Sequence, residues 1–529
     1  MDFVLAVLPI FIVLVGMLFF YQSGTVMALV GWLISVILAV FYFKTSFIVT
    51  ISASIVGVLK GLSVTLAVIF TMYLIFLLKE TGNLDVIIDY VKKISKKKEE
   101  QILFLGMGFG SLVTSLGMVT PALFPPIFLM LGFSPISSVL IAVLCYDPLT
   151  SFALFSIPIT LPSKVAFESF KVHVPGIDSL GAFIWDYTLK IAVFLPFVTP
   201  FFAYMMLYSV GGIDAVKRNF KEATIVSFAL SGSALIASWL KILPVEVIGM
   251  FAGIVAMITA HCLYRNNSDG THKKIIFDKR FLKASFPFIL LIVLSAIVNI
   301  PSIRSYLSKL PGEFEIIKVI ADQKVDFDIL SNVWFWILVT TIFSIIFYRP
   351  NGETLRRVTV LWMKRIIGPT IAYSLFFAVA YIMAWSAMDV VNGKLAPTSY
   401  FKDYNMDRII GITLADIFGR FYSFISPVLG LIGTFVGGST TASNVLFAKI
   451  QYEATLKTLG ANAFMWIYAA HAVGGGIASA ITPSKITNAA STIGLKGSEE
   501  SEVLKKVLLP VIFVSIFVGF LTVLFVTYL

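Results

Sequence analysis

Apolar residues run along this chain in long blocks, not in the alternation of a strand or the narrow stripe of a water-exposed helix. Ten blocks have the length of a membrane-spanning helix, about 20 residues: 3–21, 26–43, 62–78, 184–208, 223–240, 245–263, 284–300, 332–347, 366–388 and 507–529. No basic segment precedes the first and no small-residue cleavage site follows it, so it reads as a spanning helix. Two further stretches, 106–163 and 425–491, are apolar but crowded with Gly, Ser, Thr and Pro, and neither holds an uninterrupted span. The pattern predicts an all-α polytopic membrane protein of about 12–14 membrane segments, with two regions of broken or re-entrant helix.

The polar connections predict sidedness. Four of them, 92–98, 217–221, 265–283 and 349–365, hold 19 of the chain's 40 Lys and Arg. The connections between them, at Lys44, Lys241, 304–324 and 394–408, hold 9. Lys and Arg collect on the cytoplasmic side, which predicts a cell-membrane protein with its N-terminus outside. In 82–98, GNLDVIIDYVKKISKKK, the residues Leu84, Ile87, Ile88, Val91 and Ile94 share one helix face opposite a basic one. That is an amphipathic helix, lying either on the cytoplasmic lipid surface or on the protein.

The two broken stretches share a texture. One pairs GFGSLVTS from Gly108 with ITLPSK at 159–164; the other pairs GTFVGGSTTASN from Gly433 with ITPSK at 481–485. By the charge argument, the connection before the first lies inside and the one before the second outside. Two inverted repeats follow: an N-terminal repeat over 1–210, connecting helices and an outer loop over 211–330, and a C-terminal repeat over 331–529. Broken segments in matching places of inverted halves mark the binding site of a secondary transporter. Irregular backbone at membrane depth persists only where it is buried in protein or lines water. Half-helix N-termini there offer free N–H groups to an anion.

Composition narrows the class. The chain is 58% hydrophobic and only 13% charged, more apolar than a soluble core can bury. Its net charge of +11 fits cytoplasmic loops and not nucleic acid. Two cysteines, Cys145 and Cys262, exclude a disulfide framework, and nothing completes a metal site around His261 and Cys262. The sequence has no phosphate-cradling loop for ATP-driven transport and no HExxH or GxSxG, so neither an enzyme nor a cofactor is expected.

The stretch SPVLGLIGTFVGGSTTASNVLF at 426–447 resembles the signature of the L-lactate permease family. ITPSKITNAASTIGLKG at 481–497 is similar to a second run of that family, LKETGNLDVI at 78–87 to its early span end, and 109–121 loosely to its Gly-Phe-Gly region. The chain also departs from the pattern. No acidic residue precedes Gly108-Phe109-Gly110, Thr440 follows Gly438-Ser439, and Lys485 stands where the family more often has a neutral residue. It resembles a divergent member. The resemblance implies proton-coupled uptake of a small monocarboxylate such as lactate or glycolate, and the inverted repeats and re-entrant hairpins of a wider ion-transporter superfamily.

The expected partners are a small organic anion, a proton and the lipid bilayer, with a homo-oligomer left open. An ionised carboxylate only accepts hydrogen bonds, so its site must be rich in donors. Gly437, Gly438, Ser439, Thr440, Thr441 and Asn444 form one candidate wall; Ser111, Thr114 and Ser115 form the facing one. Lys164 and Lys485, alike in the two repeats, are candidate cations, since a charge at membrane depth usually has a role. Asp147, His471 and Asp416 are candidate proton carriers, although Asp416 also stands four residues from Arg420 as in a structural ion pair. Alternatives are another anion on the same scaffold, such as gluconate or a dicarboxylate, a membrane subunit without transport, or an intramembrane enzyme.

Overall fold

A computed structural model of the protein describes residues 1–94, 97–117, 119–169, 172–266, 279–298, 300–307, 310, 316–320, 323–327 and 329–528. Most of the connection 265–283, parts of 304–324, and Ser95 and Lys96 lie outside the described residues. Among the described residues, ten helical segments are long and apolar enough to cross a membrane, and three shorter apolar helices join them. The only strands described are two short hairpins, Ile316–Ile320 with Gln323–Asp326 and Met388–Val391 with Lys394–Pro397. The protein is an all-α, multi-pass membrane protein. Its rim exposes residues such as Phe11, Phe41 and Phe513, as lipid permits.

Helix starts follow local chemistry. The hydroxyls of Ser23, Ser46 and Ser179 each accept the backbone N–H three residues on, opening Gly24–Phe41, Phe47–Glu80 and Leu180–Arg218. Two predicted spans prove to be parts of longer helices. Block 62–78 lies within Phe47–Glu80 and block 366–388 begins within Gly352–Trp385, each 34 residues long. These two helices pack along one another, and a Cβ at Gly57 would stand 2.6 Å from the Ala378 Cα. Polar residues at their ends hid the extra turns. The amphipathic segment forms the helix Asn83–Ile94, and its Leu84 and Ile88 are buried, so it rests on the protein.

The basic connections gather at one end of the molecule. Arg357 pairs with Glu80 (3.4 Å), Arg218 with Glu99 (3.1 Å), and the ring of Tyr90 meets that of Phe281. The charge-poor connections meet at the other end, where Lys44 lies over the rings of Tyr400 and Tyr404, Ser46 bonds Asp389, and Tyr42 bonds Asp2.

The two broken stretches have the same order of elements. In the first, a π-helical turn, Ile102–Phe109, runs into α1 (Gly110–Ser115). The chain then turns at Gly117 and returns as α2 (Thr120–Met130). Its start and finish are together at the basic end, where the Lys98 ammonium donates to the Gly132 carbonyl (2.5 Å). Next come α3 (Pro135–Leu144), a 3₁₀ break at Asp147–Phe152, and α4 (Ala153–Lys164). The second stretch has α5 (Tyr422–Gly437), a turn at Gly438, and α6 (Thr440–Thr458). It then has α7 (Phe464–Ile477), a 3₁₀ break at Ala478–Ile481, and α8 (Pro483–Ile493). This hairpin opens at the charge-poor end, where Arg408 pairs with Glu453. Both turn glycines have left-handed φ, +85° at Gly117 and +66° at Gly438, which other residues adopt at a cost.

Packing between the stretches is reciprocal: α2 lies against α8, and α6 against α4. Within the second stretch, α5 and α7 touch backbone to backbone. A Cβ on Gly430 would land on the His471 carbonyl, and one on Gly474 on that of Pro427.

One expectation needs correction, and one is sharpened. The first hairpin, within 106–163 as expected, turns at Gly117, just past 108–115. The small residues there serve helix packing instead: a Cβ at Gly108 would stand 2.9 Å from the Met257 amide nitrogen. The motifs ITLPSK and ITPSK are also not equivalent in space. The first ends α4, whereas the second opens α8. The first-stretch counterpart of the 478–481 turn is the segment around Tyr146–Phe152.

Candidate functional site

The two 3₁₀ breaks fall near the middle of the long segments Pro135–Glu168 and Ala461–Ile493, and they face one another. A helix that stops in mid-membrane leaves end groups that must find partners. The Asp147 Oδ2 accepts the backbone N–H of Ala480 (3.0 Å). From the other side of the sequence, the Lys485 ammonium donates to Ser479 Oγ (2.6 Å) and stands 4.1 Å from the centre of the Tyr146 ring. An acid of the first stretch and a base of the second thus hold the same turn. Both are 5% exposed. The Asp147 Oδ1 has no partner. Asp147 also lines a small cleft with Thr150, Val473 and Gly476, of about 10 Å³, room for about one water.

Below this turn lies the tip of the second hairpin. Gly438 makes the left-handed turn, and the Ser439 hydroxyl accepts the Ala442 N–H (3.2 Å) to cap α6. Thr440 donates to the Gly475 carbonyl (3.3 Å). Thr441 is half-buried beside it. Asn444 is fully buried; its amide donates to the Pro158 carbonyl (2.9 Å) in α4, while its Oδ1 has no partner. Of the expected anion wall, therefore, Gly437, Gly438 and residues 439–444 form a tip tied to the other stretch. Ser111, Thr114 and Ser115, expected to face it, lie together in α1. Ser115 bonds the Ser111 carbonyl (2.9 Å), and its hydroxyl lies against Gly249 in the helix Val245–Asn266. Ser111 and Thr114 are buried with unpartnered hydroxyls in this same short helix.

His471 sits in a closed chain of bonds. Tyr422 donates to Gln451 Oε1 (2.8 Å), Gln451 Nε2 donates to His471 Nδ1 (2.9 Å), and His471 Nε2 meets Ser443 Oγ (3.1 Å). With the amide donating, Nδ1 accepts and Nε2 carries the hydrogen. Both ring nitrogens are satisfied, and the residue ties α6 to α7. Lys164 and Asp416 are exposed at the charge-poor end. Asp416 pairs there with Lys457, not with Arg420, because α6 returns alongside it. Neither residue joins the central cluster.

Four residues of that cluster were missed in the sequence. Tyr146 packs on Lys485. Tyr373, Ser484 and Asn488 are buried with unpartnered hydroxyl and amide groups beside the Gly438 tip. Ser484 and Asn488 lie in the run 481–497 and repeat every four positions, a signal that was available. Tyr373 sits within a long apolar helix and gives none.

The L-lactate permease family model matches residues 2–529. The chain belongs to the L-lactate permease family. Individual relatives are distant. The chain is similar to the L-lactate permease of Halalkalibacterium halodurans, at 22% identity over 98% of this chain and 97% of that one. It is 22% identical to the glycolate permease of Escherichia coli K12, over 98% and 94%, and 23% identical to the L-lactate permease of Streptococcus iniae, over 85% and 90%. In this member of the L-lactate permease family the motif residues 437–444 and 481–488 lie around one buried, polar centre, where Asp147 and Lys485 hold the same turn.

Proposed function

We propose that this permease-family protein is a secondary transporter that carries a small monocarboxylate, lactate- or glycolate-like, through the cell membrane together with a proton. The observation that carries this reading is the shared grip of Asp147 and Lys485 on the 478–481 turn. While Asp147 is ionised, it balances the Lys485 charge. Once Asp147 takes a proton, Lys485 is free to pair with the carboxylate of a substrate, so proton and anion bind together. A charge-assisted hydrogen bond of this kind is worth roughly 1.5–3 kcal/mol. Among the described residues Lys485 is the only buried Lys or Arg. One cation suits one carboxylate, which argues against a dicarboxylate substrate. Its relatives among the lactate and glycolate permeases support the same class.

The scaffold reads as two inverted repeats, supported by hairpins that open at opposite ends and by the reciprocal packing of α2 on α8 and α6 on α4. With the basic end in the cytoplasm, the N-terminus lies outside. Uptake of labelled L-lactate and glycolate into proteoliposomes tests the function. Accumulation driven by an inward proton gradient and lost on its collapse is expected; uptake indifferent to that gradient would rule out proton symport.

A further inference from the structure

Among the described residues, Asn488 is the only side chain with two buried polar atoms that lack partners. It is fully buried on α8, and neither its amide nitrogen nor its carbonyl oxygen has a partner. Ser484, one turn earlier, and Tyr373, on Gly352–Trp385, also bury unpartnered hydroxyls. The three belong to one place. The Tyr373 hydroxyl faces Ser484 and Asn488, and any contact among the three is weak, since none meets the distance and angle of a hydrogen bond. The Gly438 tip closes over Ser484 and Tyr373: a Cβ there would stand 2.9 Å from Ser484 Oγ and 3.8 Å from the Tyr373 ring. Buried polar groups left bare are costly, and a native site usually has something to satisfy them.

The donor and acceptor pattern defines that partner. A side-chain amide both donates and accepts. A carboxylate only accepts, so it would leave the Asn488 oxygen bare. A hydroxyl uses both ends of the amide at once. Lys485 stands three residues before Asn488 on the same helix, and residues at that spacing are neighbours, about 5–6 Å between Cβ atoms. A small molecule with a carboxylate at Lys485 presents its next carbon to Asn488.

We infer that Asn488, flanked by Ser484 and Tyr373, is the residue that determines specificity, by reading the hydroxyl on the carbon next to the substrate's carboxylate. This rests on the proposed monocarboxylate transport. The same three-carbon acid lacking the hydroxyl leaves both ends of Asn488 bare, and its keto analogue satisfies the donor alone. A site built to bond a hydroxyl rejects such analogues far better than an apolar pocket rejects a methylene.

The test compares half-saturation for L-lactate with inhibition by propionate and pyruvate in proteoliposomes. The unmodified protein is expected to favour lactate over propionate by about tenfold or more. Asn488→Leu should raise the lactate constant by about tenfold and leave that of propionate within about threefold, erasing the preference. Tyr373→Phe should shift the ratio in the same direction by less, and it decides the matter alone if Asn488→Leu does not fold. A preference unchanged in the folded variants, or equal loss for both acids, overturns the inference and leaves transport standing. No uptake of lactate by the unmodified protein overturns both.

Discussion

Asn444 and Pro158 are 286 residues apart in the chain and joined by a 2.9 Å hydrogen bond, amide to carbonyl, inside the membrane. Pro158 lies within α4, a helix that also carries Pro162. A proline removes one helical hydrogen bond and exposes the carbonyl that would have received it. The second hairpin supplies a donor inside the first stretch, so the two cannot separate without stranding polar groups in an apolar interior.

Asn444→Ala should therefore cost about 1–3 kcal/mol of stability, seen as a lower thermal midpoint of the purified protein. It should also raise the half-saturation for uptake, because the α6 tip loses its anchor. Unaltered stability and uptake would mean that the bond is dispensable.

Asp147→Asn keeps the shape of the side chain and removes its proton chemistry. Gradient-driven accumulation should vanish, while exchange of internal for external substrate continues, since exchange needs no net proton movement. His471→Ala should behave differently. It breaks the Tyr422–Gln451–His471–Ser443 chain and should lower stability by about 1–3 kcal/mol without separating accumulation from exchange. Equal loss of both activities in Asp147→Asn would assign the proton to another group.

Gly430→Ala places a methyl group on the His471 carbonyl. The backbones of α5 and α7 must part, and overpacking of this kind costs typically about 1–3 kcal/mol. The expected outcome is a lower yield of folded protein and a lower thermal midpoint. A variant as stable as the unmodified protein would show that these helices have room to slide.

Asp416→Asn and Lys164→Gln should change little. Both side chains are exposed, and an exposed ion pair such as Asp416 with Lys457 is worth about 0–1 kcal/mol. Uptake kinetics within about twofold of the unmodified protein are expected; a large loss in either would return that residue to the transport path.

The sequence carried the architecture well where it depends on bulk hydrophobicity, and poorly where it depends on where a helix stops. Blocks of apolar residues located the spans, yet Gly352–Trp385 and Phe47–Glu80 run beyond them because a helix continues through polar residues that reach the membrane surface. The Gly438 tip was legible, since glycine followed by Ser439 combines a left-handed turn with a helix cap. The Gly117 tip was not, because Gly106, Gly108 and Gly110 form a more conspicuous cluster nearby, and their role is close helix contact. Matching ITLPSK to ITPSK failed for a related reason: short motifs repeat by composition, while the spatial equivalence is set by the breaks at 147–152 and 478–481. Asp147 and Lys485 stood out as charges in apolar stretches. Tyr373 and Asn488 did not, because a lone polar residue in a span becomes informative only when its partners are found to be missing.

The bond between Asp147 and Ala480 has a consequence in time. Its two ends are 333 residues apart, and synthesis proceeds at about 5–20 residues per second, so Asp147 waits roughly 15–70 s for its partner to be made. Throughout that interval a carboxyl group and an interrupted helix sit in or beside the bilayer without the turn that satisfies them. The first half of the nascent chain must keep this region hydrated, or shielded by the insertion machinery, until the last tenth of the chain arrives. Ribosome pausing or truncation before residue 480 should therefore yield a fragment marked for proteolysis, even though every span it contains is apolar enough to insert.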